Sequence, residues 1–292
     1  MIDQWIRQNA DDLQVVLFFT LFFLFSLAEV FEPKRPGPMH RKKRWLTNLL
    51  MTALNITVMG LLPVTFFGMA VWAQERGLGL FNSFSMSLGV VVIGTLLARG
   101  FISFFTHYLM HKVPLFWRLH RVHHLDTEMD VSTTVRFHPF EFLAALLPGV
   151  PLVMAFGLSP WVLLLYEVLD AVVTLFSHAN IRLPGSVDRV LRYIIVTPDL
   201  HRVHHSSSQP ETDSNFSAVF PVWDIVFGTF RTQTRAPQES MELGLEEVRD
   251  NRANRFWWLL GSPFIGRLNA NVVETSTHPQ VETVEQGAQP WK

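Results

Sequence analysis

The pentapeptide HRVHH occurs twice in this sequence, at residues 120–124 and again at residues 201–205. On a helix, residues spaced i, i+3 and i+4 share one face, so each copy presents its three imidazoles together. At the histidine frequency of this chain, one HxxHH spacing should arise by chance only about 0.02 times. Two copies therefore indicate a metal site.

A third histidine box precedes the two pentapeptides. HYLMH, at residues 107–111, places two histidines one helical turn apart, and His178, alone before the last box, is the candidate ninth ligand. A structural zinc ion takes four protein ligands and a catalytic zinc ion three, so nine imidazoles favour two ions. Imidazole suits zinc, copper, iron and nickel. The chain contains no cysteine, which excludes thiolate ligands.

The composition predicts a membrane protein. Of the 292 residues, 49% are hydrophobic and only 17% are charged. Uncharged blocks cover residues 13–28, 46–74, 77–98 and 142–166. A bilayer crossing needs about 20 predominantly apolar residues, and the last three blocks are long enough. The net charge of −1 gives no field that would attract nucleic acid, so none is expected as a partner.

The charge distribution predicts the orientation. The run KRPGPMHRKKRW, at residues 34–45, contains six Lys or Arg residues and is expected in the cytoplasm by the positive-inside rule. The predicted fold is all-α, with about four transmembrane helices in two hairpins. A helical, histidine-rich cap on the cytoplasmic side would then hold the dinuclear metal site. The expected helices cover about 13–31 and 46–73, a third begins near 84, and a hairpin broken at PGVP and GLSP covers 140–177.

Four segments follow from this reading. Residues 1–83 are expected to form an N-terminal transmembrane hairpin with its basic loop, and residues 84–232 a domain that contains the three histidine boxes and the membrane hairpin 140–177. Residues 233–267 are expected to be a cytoplasmic or interfacial helical segment, and the polar residues 268–292 a disordered tail.

A polar stripe leads to His178. Glu167, Asp170, Thr174 and His178 lie at i, i+3, i+7 and i+11 on an otherwise apolar helix. Acidic residues within a membrane segment cost free energy and tend to occur at functional sites. Asp170 and Glu167 are therefore candidates to orient ligand histidines by accepting their free ring N–H. An alternative is that these acids see water. His138, in RFHPFE, is either a further ligand or a helix-entrance residue bonded to backbone.

The motifs resemble the fatty acid hydroxylase / sterol desaturase superfamily. HYLMH and the two HRVHH boxes occur in the family's order, and FHP (137–139), SHAN (177–180) and NFSAVFPVWDIVFGTFR (215–231) resemble its other conserved features. The resemblance covers about residues 95–231. It implies a non-haem di-iron centre that uses dioxygen and two electrons to oxidise a lipid C–H bond. The ligands it implies are His107, His111, His120, His123, His124, His178, His201, His204 and His205.

The resemblance allows alternatives for the tenth ligand, the metal and the reaction. Some family members have a further histidine where this chain has Arg182, so a tenth ligand would have to be His138 or be missing. The family implies a membrane lipid as substrate and an external electron donor, either a ferredoxin, a cytochrome b5-like protein or a reductase. The purified protein could hold zinc in place of iron. Alternatives are a desaturase, a zinc-dependent membrane hydrolase and a metal-binding protein. A bacterial inner membrane is the expected location.

Overall fold

A computed structural model describes residues 2–37 and 41–266, with side chains from residue 15 onward. These residues form twelve α-helices and no β-strand, which confirms the predicted all-α class. The helices are α1 (Ile2–Phe31), α2 (Arg41–Gly60), α3 (Phe66–Glu75), α4 (Leu88–Lys112), α5 (Pro114–His124), α6 (Pro139–Phe156), α7 (Pro160–His178), α8 (Gly185–Leu191), α9 (Pro198–His204), α10 (Gln209–Thr212), α11 (Val222–Phe227) and α12 (Phe256–Gly261).

Three helices are long and apolar enough to cross a membrane, namely α4, α6 and α7. Their outer faces carry large apolar side chains, among them Leu88, Ile93 and Leu147, each more than 60% exposed. Such faces are expected to contact lipid, since soluble proteins rarely expose large contiguous apolar surfaces. The described apolar part of α1, Val15–Phe31, is shorter than these three helices.

The second predicted helix is divided into two. The sequence predicts one helix over 46–73, but α2 ends at Gly60 and α3 begins at Phe66. Pro63 lies in the break, and a proline can neither donate to a helical carbonyl nor let the preceding residue stay helical. The Thr65 side chain then caps α3 by accepting a hydrogen bond from the Gly68 N–H, 3.0 Å away. The prediction of one continuous helix was wrong.

The segment 140–177 forms two helices, as predicted, but it breaks at only one of the two expected positions. Pro148 and Pro151 lie inside α6, which continues to Phe156. The chain turns at GLSP, where Gly157 adopts a left-handed φ of 64° and Pro160 occupies the first turn of α7. A Cβ at Gly157 would lie 2.7 Å from the Leu78 carbonyl oxygen, so only glycine fits. Helix α4 packs against both α6 and α7.

Four helices bring the histidines to one end of the bundle. Helices α4 and α7 carry histidines in their last turns, while α5 and α9 consist largely of the two pentapeptides. Pro114 starts α5 directly after α4, so the chain folds back and the two helices pack together. Pro198 starts α9, which packs against α7. Proline is favoured at these positions because the first helical N–H needs no partner.

A buried ionic network connects the histidine-bearing end of the bundle to α2. Arg44, 1% exposed, donates to Asp126 at 2.8 Å and also to Asp130. Arg136, fully buried, donates to the Val122 carbonyl at 2.9 Å and to the Asn48 side chain at 3.0 Å. Breaking such a network is strongly destabilising because it leaves a buried charge without a partner. The network fixes the end of α5 to α2.

The segment 233–267 is less helical than predicted. Its described part contains only two short 3-10 turns, Asn251–Asn254 and Ser262–Phe264, and α12 between them. Within α12, Leu259 is buried against Met51 and Val122, whereas Trp257 is 79% exposed. One face of α12 is therefore core and the other is available to an interface. The predicted tail, 268–292, lies outside the described residues.

Candidate metal centre

The nine predicted ligands come together in two adjacent groups. Within each group, one candidate donor atom per residue lies within 4.8 Å of all the others. The five-histidine group consists of His107, His111, His120, His124 and His204, and the four-histidine group consists of His123, His178, His201 and His205. The ring centroids of His204 and His205, one from each group, are 5.5 Å apart, so the two groups are direct neighbours.

Each pentapeptide contributes to both groups. The first copy gives His120 and His124 to the five-histidine group and His123 to the other. The second copy does the reverse, since His201 and His205 join the four-histidine group and His204 crosses over. Each pentapeptide therefore places histidines in both groups.

Two rings of the five-histidine group present lone pairs to the same point. His107 donates its Nδ1–H to the Phe216 carbonyl at 2.7 Å, and His120 donates its Nδ1–H to Glu141 at 2.6 Å. A neutral imidazole has one N–H, so Nε2 of each ring is an acceptor. These two Nε2 atoms lie 3.0 Å apart. Two acceptors at this distance repel each other unless they share a cation, and metal–nitrogen bonds of about 2.1 Å at a right angle give about this separation.

The four-histidine group has the same geometry around His178. This ring donates its Nδ1–H to the Thr174 carbonyl, one turn earlier, at 2.8 Å. Its Nε2 lies 3.1 Å from Nε2 of His201 and 3.2 Å from Nε2 of His123. In both groups, buried ring nitrogens lack a hydrogen-bond partner among the described residues, including Nε2 of His204 and His205. Buried polar atoms are rarely left unpaired. The donor set therefore fits two metal ions.

The electrostatics favour neutral rings. Burial, reinforced by neighbouring imidazoles, lowers the pKa well below 6.5 for four histidines on or beside α5 and α9, namely His123, His124, His201 and His205. Burial also lowers the pKa of His204 to about 3. A neutral imidazole keeps its lone pair at pH 7, which metal binding requires.

A cavity of about 750 Å³ leads from the histidines into the helical bundle. Its inner end is formed by five of the nine rings, and its wall follows one face of α7 as far as Trp161. Seventeen residues of helix separate Trp161 from His178, which corresponds to about 26 Å. Pockets of this volume accommodate ligands of moderate size. The centre is therefore accessible from among the apolar helices.

Comparison with known proteins gives the family. The sequence model of the fatty acid hydroxylase family matches residues 92–229, which include all nine histidines. Residues 92–229 form a fatty acid hydroxylase domain. The family that the three histidine boxes predicted is thereby confirmed. No solved structure matches the chain.

Curated relatives of this fatty acid hydroxylase domain are lipid hydroxylases and monooxygenases. An ornithine lipid hydroxylase of Rhizobium tropici is 29% identical over 68% of this chain and 57% of its own length. Human alkylglycerol monooxygenase is 25% identical over 63% of this chain and 41% of its own length. Human cholesterol 25-hydroxylase is 28% identical over 44% and 47%, respectively. The matched part of the chain thus spans between two fifths and three fifths of the length of these relatives.

The carboxylates beside the centre differ from those predicted. Glu141 accepts from His120, and the ring Nδ1 of His111 lies 3.3 Å from Asp213. Among the described residues, neither Asp170 nor Glu167 bonds to a ring nitrogen; Glu167 instead accepts from Arg99 at 2.9 Å. The assignment of ring-orienting roles to Asp170 and Glu167 therefore does not agree with the hydrogen bonds of the fatty acid hydroxylase domain. The local signal for Glu141 was its place in FHPFE, at the entrance of an apolar helix.

The remaining histidine candidates lie outside both groups. His138 caps α6 by accepting a hydrogen bond from the Phe140 N–H, and its Nε2 lies 3.2 Å from the Leu260 carbonyl oxygen. This is the helix-entrance role that the sequence left open. Arg182, at the position of the additional family histidine, donates to the Lys34 carbonyl at 3.2 Å. His40 and His278 lie outside the described residues.

Proposed function

We propose that this chain is an integral-membrane, non-haem di-iron oxidase that hydroxylates a C–H bond of a lipid. The observation that carries the proposal is the position of two adjacent groups of nitrogen donors at the inner end of a cavity among membrane-length helices. The names of the curated relatives, all lipid hydroxylases or monooxygenases, support the same reaction. One oxygen atom of dioxygen would enter the C–H bond, and the other would leave as water with two electrons and two protons.

The nine histidines would hold the two iron ions, five residues on one side and four on the other. Bound iron would supply the activation of dioxygen, which no side chain of this chain can perform alone. The protein fixes the direction of the rings. The carbonyls of Phe216, Thr174 and Ser214 and the Glu141 carboxylate each hold an Nδ1–H, so that Nε2 points into the centre.

The rest of the domain would position the lipid and exclude water. The cavity wall includes Phe137, Phe142 and Met110, and these apolar side chains would disfavour water next to the reacting carbon. Removing water strengthens each polar interaction inside the site. We assign the catalytic domain to residues 84–232, which contain the matched segment, and the first hairpin with its basic loop to residues 1–83.

The proposed topology has a first hairpin formed by α1 and by α2 with α3, a span in α4 and a second hairpin formed by α6 and α7, with the metal centre on the cytoplasmic side of a bacterial inner membrane. The basic run at 34–45 supports this orientation. Lys34, within that run, pairs with Asp199 in α9 at 3.0 Å, so the basic run and a histidine box lie on the same side of the molecule. Electrons would come from an external donor, a ferredoxin, a cytochrome b5-like protein or a reductase.

Two alternatives share this site. A desaturase would remove a second hydrogen atom where a hydroxylase inserts oxygen. A zinc-dependent hydrolase would need a carboxylate beside the metal. Glu141 lines the cavity, and one of its carboxylate oxygens has no hydrogen-bond partner among the described residues, so Glu141 would be the candidate for that role. A metal carrier would need ligands along a pathway, whereas these nine form two adjacent groups, and five of their rings form one end of the cavity.

The proposal is tested with the full chain expressed in a bacterial host and purified in nanodiscs. We expect two iron ions per chain and a lipid product heavier by one oxygen atom, formed only with dioxygen. A product lighter by two hydrogen atoms would identify the desaturase. Full turnover of a lipid ester without oxygen, with zinc bound, would overturn the oxidase. The His138→Asn variant, altered outside both groups, is the matched control.

A further inference from the structure

The cavity wall changes in polarity along its length. Arg99 lies eight residues before His107 on α4, and Asp170 lies eight residues before His178 on α7, so both stand about 12 Å from the centre. Outside this level, the wall includes the apolar residues Met59, Leu62, Val64, Phe67 and Trp161. Inside it, six of the seven serine and threonine residues of the wall occur, namely Ser103, Thr106, Thr134, Thr174, Ser177 and Ser217.

A polar belt marks the boundary between the two sections. It consists of Arg99, Glu167 and Asp170, all of which line the cavity. Arg99 is only 7% exposed, and its Nε donates to Glu167 at 2.9 Å. Its guanidinium also lies between the rings of Phe66 and Tyr166, 5.1 and 4.9 Å from their centroids. These contacts orient Arg99 toward Glu167.

Asp170 is the second acid of the belt. Its carboxylate makes no hydrogen bond within the described part of the chain. The belt therefore contains two carboxylates and one guanidinium, and it can accept a further hydrogen-bond donor. Ionisable groups at membrane depth are expensive and usually serve a function.

The inner section also contains polar atoms without partners. Oγ1 of Thr106 and one carboxylate oxygen of Glu141 are buried and make no hydrogen bond to the described residues. Both residues line the cavity, and Glu141 is only 7% exposed. A hydrocarbon chain next to these atoms would leave them unsatisfied, which costs free energy, whereas a polar ligand would satisfy them.

We propose that the cavity binds its lipid with the polar head inward, and that Asp170 receives a hydrogen-bond-donating head group, an ammonium or a hydroxyl. The hydrocarbon chain then runs outward past Trp161, through the apolar section, toward the bilayer. Asp170 lies about 12 Å from the centre, so the head group is an extended one. Its outer donor binds Asp170, and its inner polar end reaches the metals, where oxidation takes place. This inference rests on the proposed function and reverses the simpler arrangement, in which the head stays at the membrane surface and the chain end reaches the metals.

The first test measures binding and needs no turnover. Labelled hexadecylammonium, hexadecanol and hexadecanoate are bound to the full chain at one fixed detergent concentration. We expect the ammonium probe to bind at least tenfold more tightly than the carboxylate probe. Tighter binding of hexadecanoate would overturn the proposal. This comparison uses the unaltered chain, so it does not depend on the folding of a variant.

The second test uses substitutions of the belt. Asp170→Asn should weaken hexadecylammonium binding at least fivefold and hexadecanol binding less, because the charge is removed while the shape is kept. Glu75→Gln, an acid-to-amide change at an exposed residue outside the cavity wall, should change neither. Equal affinities in Asp170→Asn and the unaltered chain would also contradict the proposal.

The third test locates the oxidised carbon. N-hexadecyl-1,4-diaminobutane, whose diamine head can extend inward from Asp170, is supplied with deuterium either on its butane carbons or on the last three carbons of its hexadecyl chain, together with dioxygen and a reductant. Loss of deuterium from the head side supports the orientation, and loss from the chain end overturns it. Ammonium selectivity with no oxidation of any probe would count against the proposed function while supporting the binding site.

Discussion

The two copies of HRVHH have the same sequence but divide their histidines between the two groups in opposite ways. The first copy sends its i and i+4 histidines, His120 and His124, to the five-histidine group, and the second sends His201 and His205 to the four-histidine group. In each copy the i+3 histidine crosses to the other group. A helix explains the division, because at 100° per residue i+4 lies about 40° to one side of i and i+3 about 60° to the other.

The two groups differ in what surrounds them. The five-histidine group has two carboxylates at its edge, Glu141 beside His120 and Asp213 beside His111. In the four-histidine group, the one partner that His178 finds for its Nδ1–H in the described part of the chain is a backbone carbonyl. An ion bound in the five-histidine group would therefore have two carboxylates at the edge of its site, Glu141 and Asp213. The local sequence determines which rings can serve together, and the rest of the fold determines their electrostatics.

The largest effect is expected for the two crossing histidines. His123→Ala and His204→Ala each remove a ligand from the group opposite to the rest of their box, and each should reduce bound metal by about one ion per chain. Lipid turnover should fall at least 100-fold, because the proposed reaction needs both ions. Metal per chain is measured by mass spectrometry and turnover by product analysis. Two ions and full turnover in both variants would remove these residues from the ligand set.

A smaller effect is expected for the carboxylates, and it should differ between them. Glu141→Gln removes a charge from a site that is 7% exposed, whereas the Asp213 side chain is 24% exposed and also pairs with Lys112 at 2.7 Å. Loss of a partner behind a metal-ligating histidine costs about 10–100-fold in metal affinity. We expect Glu141→Gln to lie within this range and Asp213→Asn to lose less. Competition with a chelator measures both affinities, and equal losses would contradict the role given to burial.

Much of this centre follows from the sequence. Two HRVHH boxes and one HYLMH box are too improbable for chance, and the apolar blocks locate α4, α6 and α7. The angular division of each box between two ions also follows from helix geometry. Helix geometry does not determine which of the two groups each histidine of a pentapeptide joins, because that depends on how α5 and α9 face each other.

The positions of the acids show where sequence reasoning fails. Asp170 shares a helical face with His178, but eight residues of helix separate them by about 12 Å, too far for a hydrogen bond. Glu141 and Asp213 reach their rings across 21 and 102 residues of chain. Such contacts arise from tertiary packing and leave no periodic signal. The break at Pro63 was missed because the surrounding residues are uniformly apolar.

The metal-free protein should lose stability as the pH falls below 6.5. The folded state holds His123, His124, His201, His204 and His205 at depressed pKa values, while the unfolded chain binds protons near the ordinary value. Stability is therefore fully present above pH 6.5 and declines as the pH falls toward the folded pKa, about 3 for His204. At pH 5.5 each such ring lowers the free energy of unfolding by about 1.4 kcal/mol. Thermal unfolding after chelation, at pH 7.5 and 5.5, measures the difference. An unchanged melting temperature would contradict neutral, buried rings.

The smallest difference is expected between the two arginines of the repeated box. Arg202 is fully buried and donates to Asp199 at 2.7 Å, whereas Arg121 donates to the carbonyls of Ser262 and Ile265. Both arginines are charged donors, and loss of a hydrogen bond to a charged group costs about 1.5–3 kcal/mol. Only the bond of Arg202 also has a charged acceptor, so its loss should lie at the upper end of this range.

Arg202→Gln should therefore lower the melting temperature more than Arg121→Gln. Arg121→Gln should instead make the chain around residues 262–266 more accessible to protease, because this arginine, together with Arg118, ties those carbonyls to α5. Both variants should keep two metal ions, since the arginine at i+1 points away from the face formed by i, i+3 and i+4. Loss of an ion from either variant would mean that the arginines hold the boxes in place, and the centre would then depend on all five letters of the repeat.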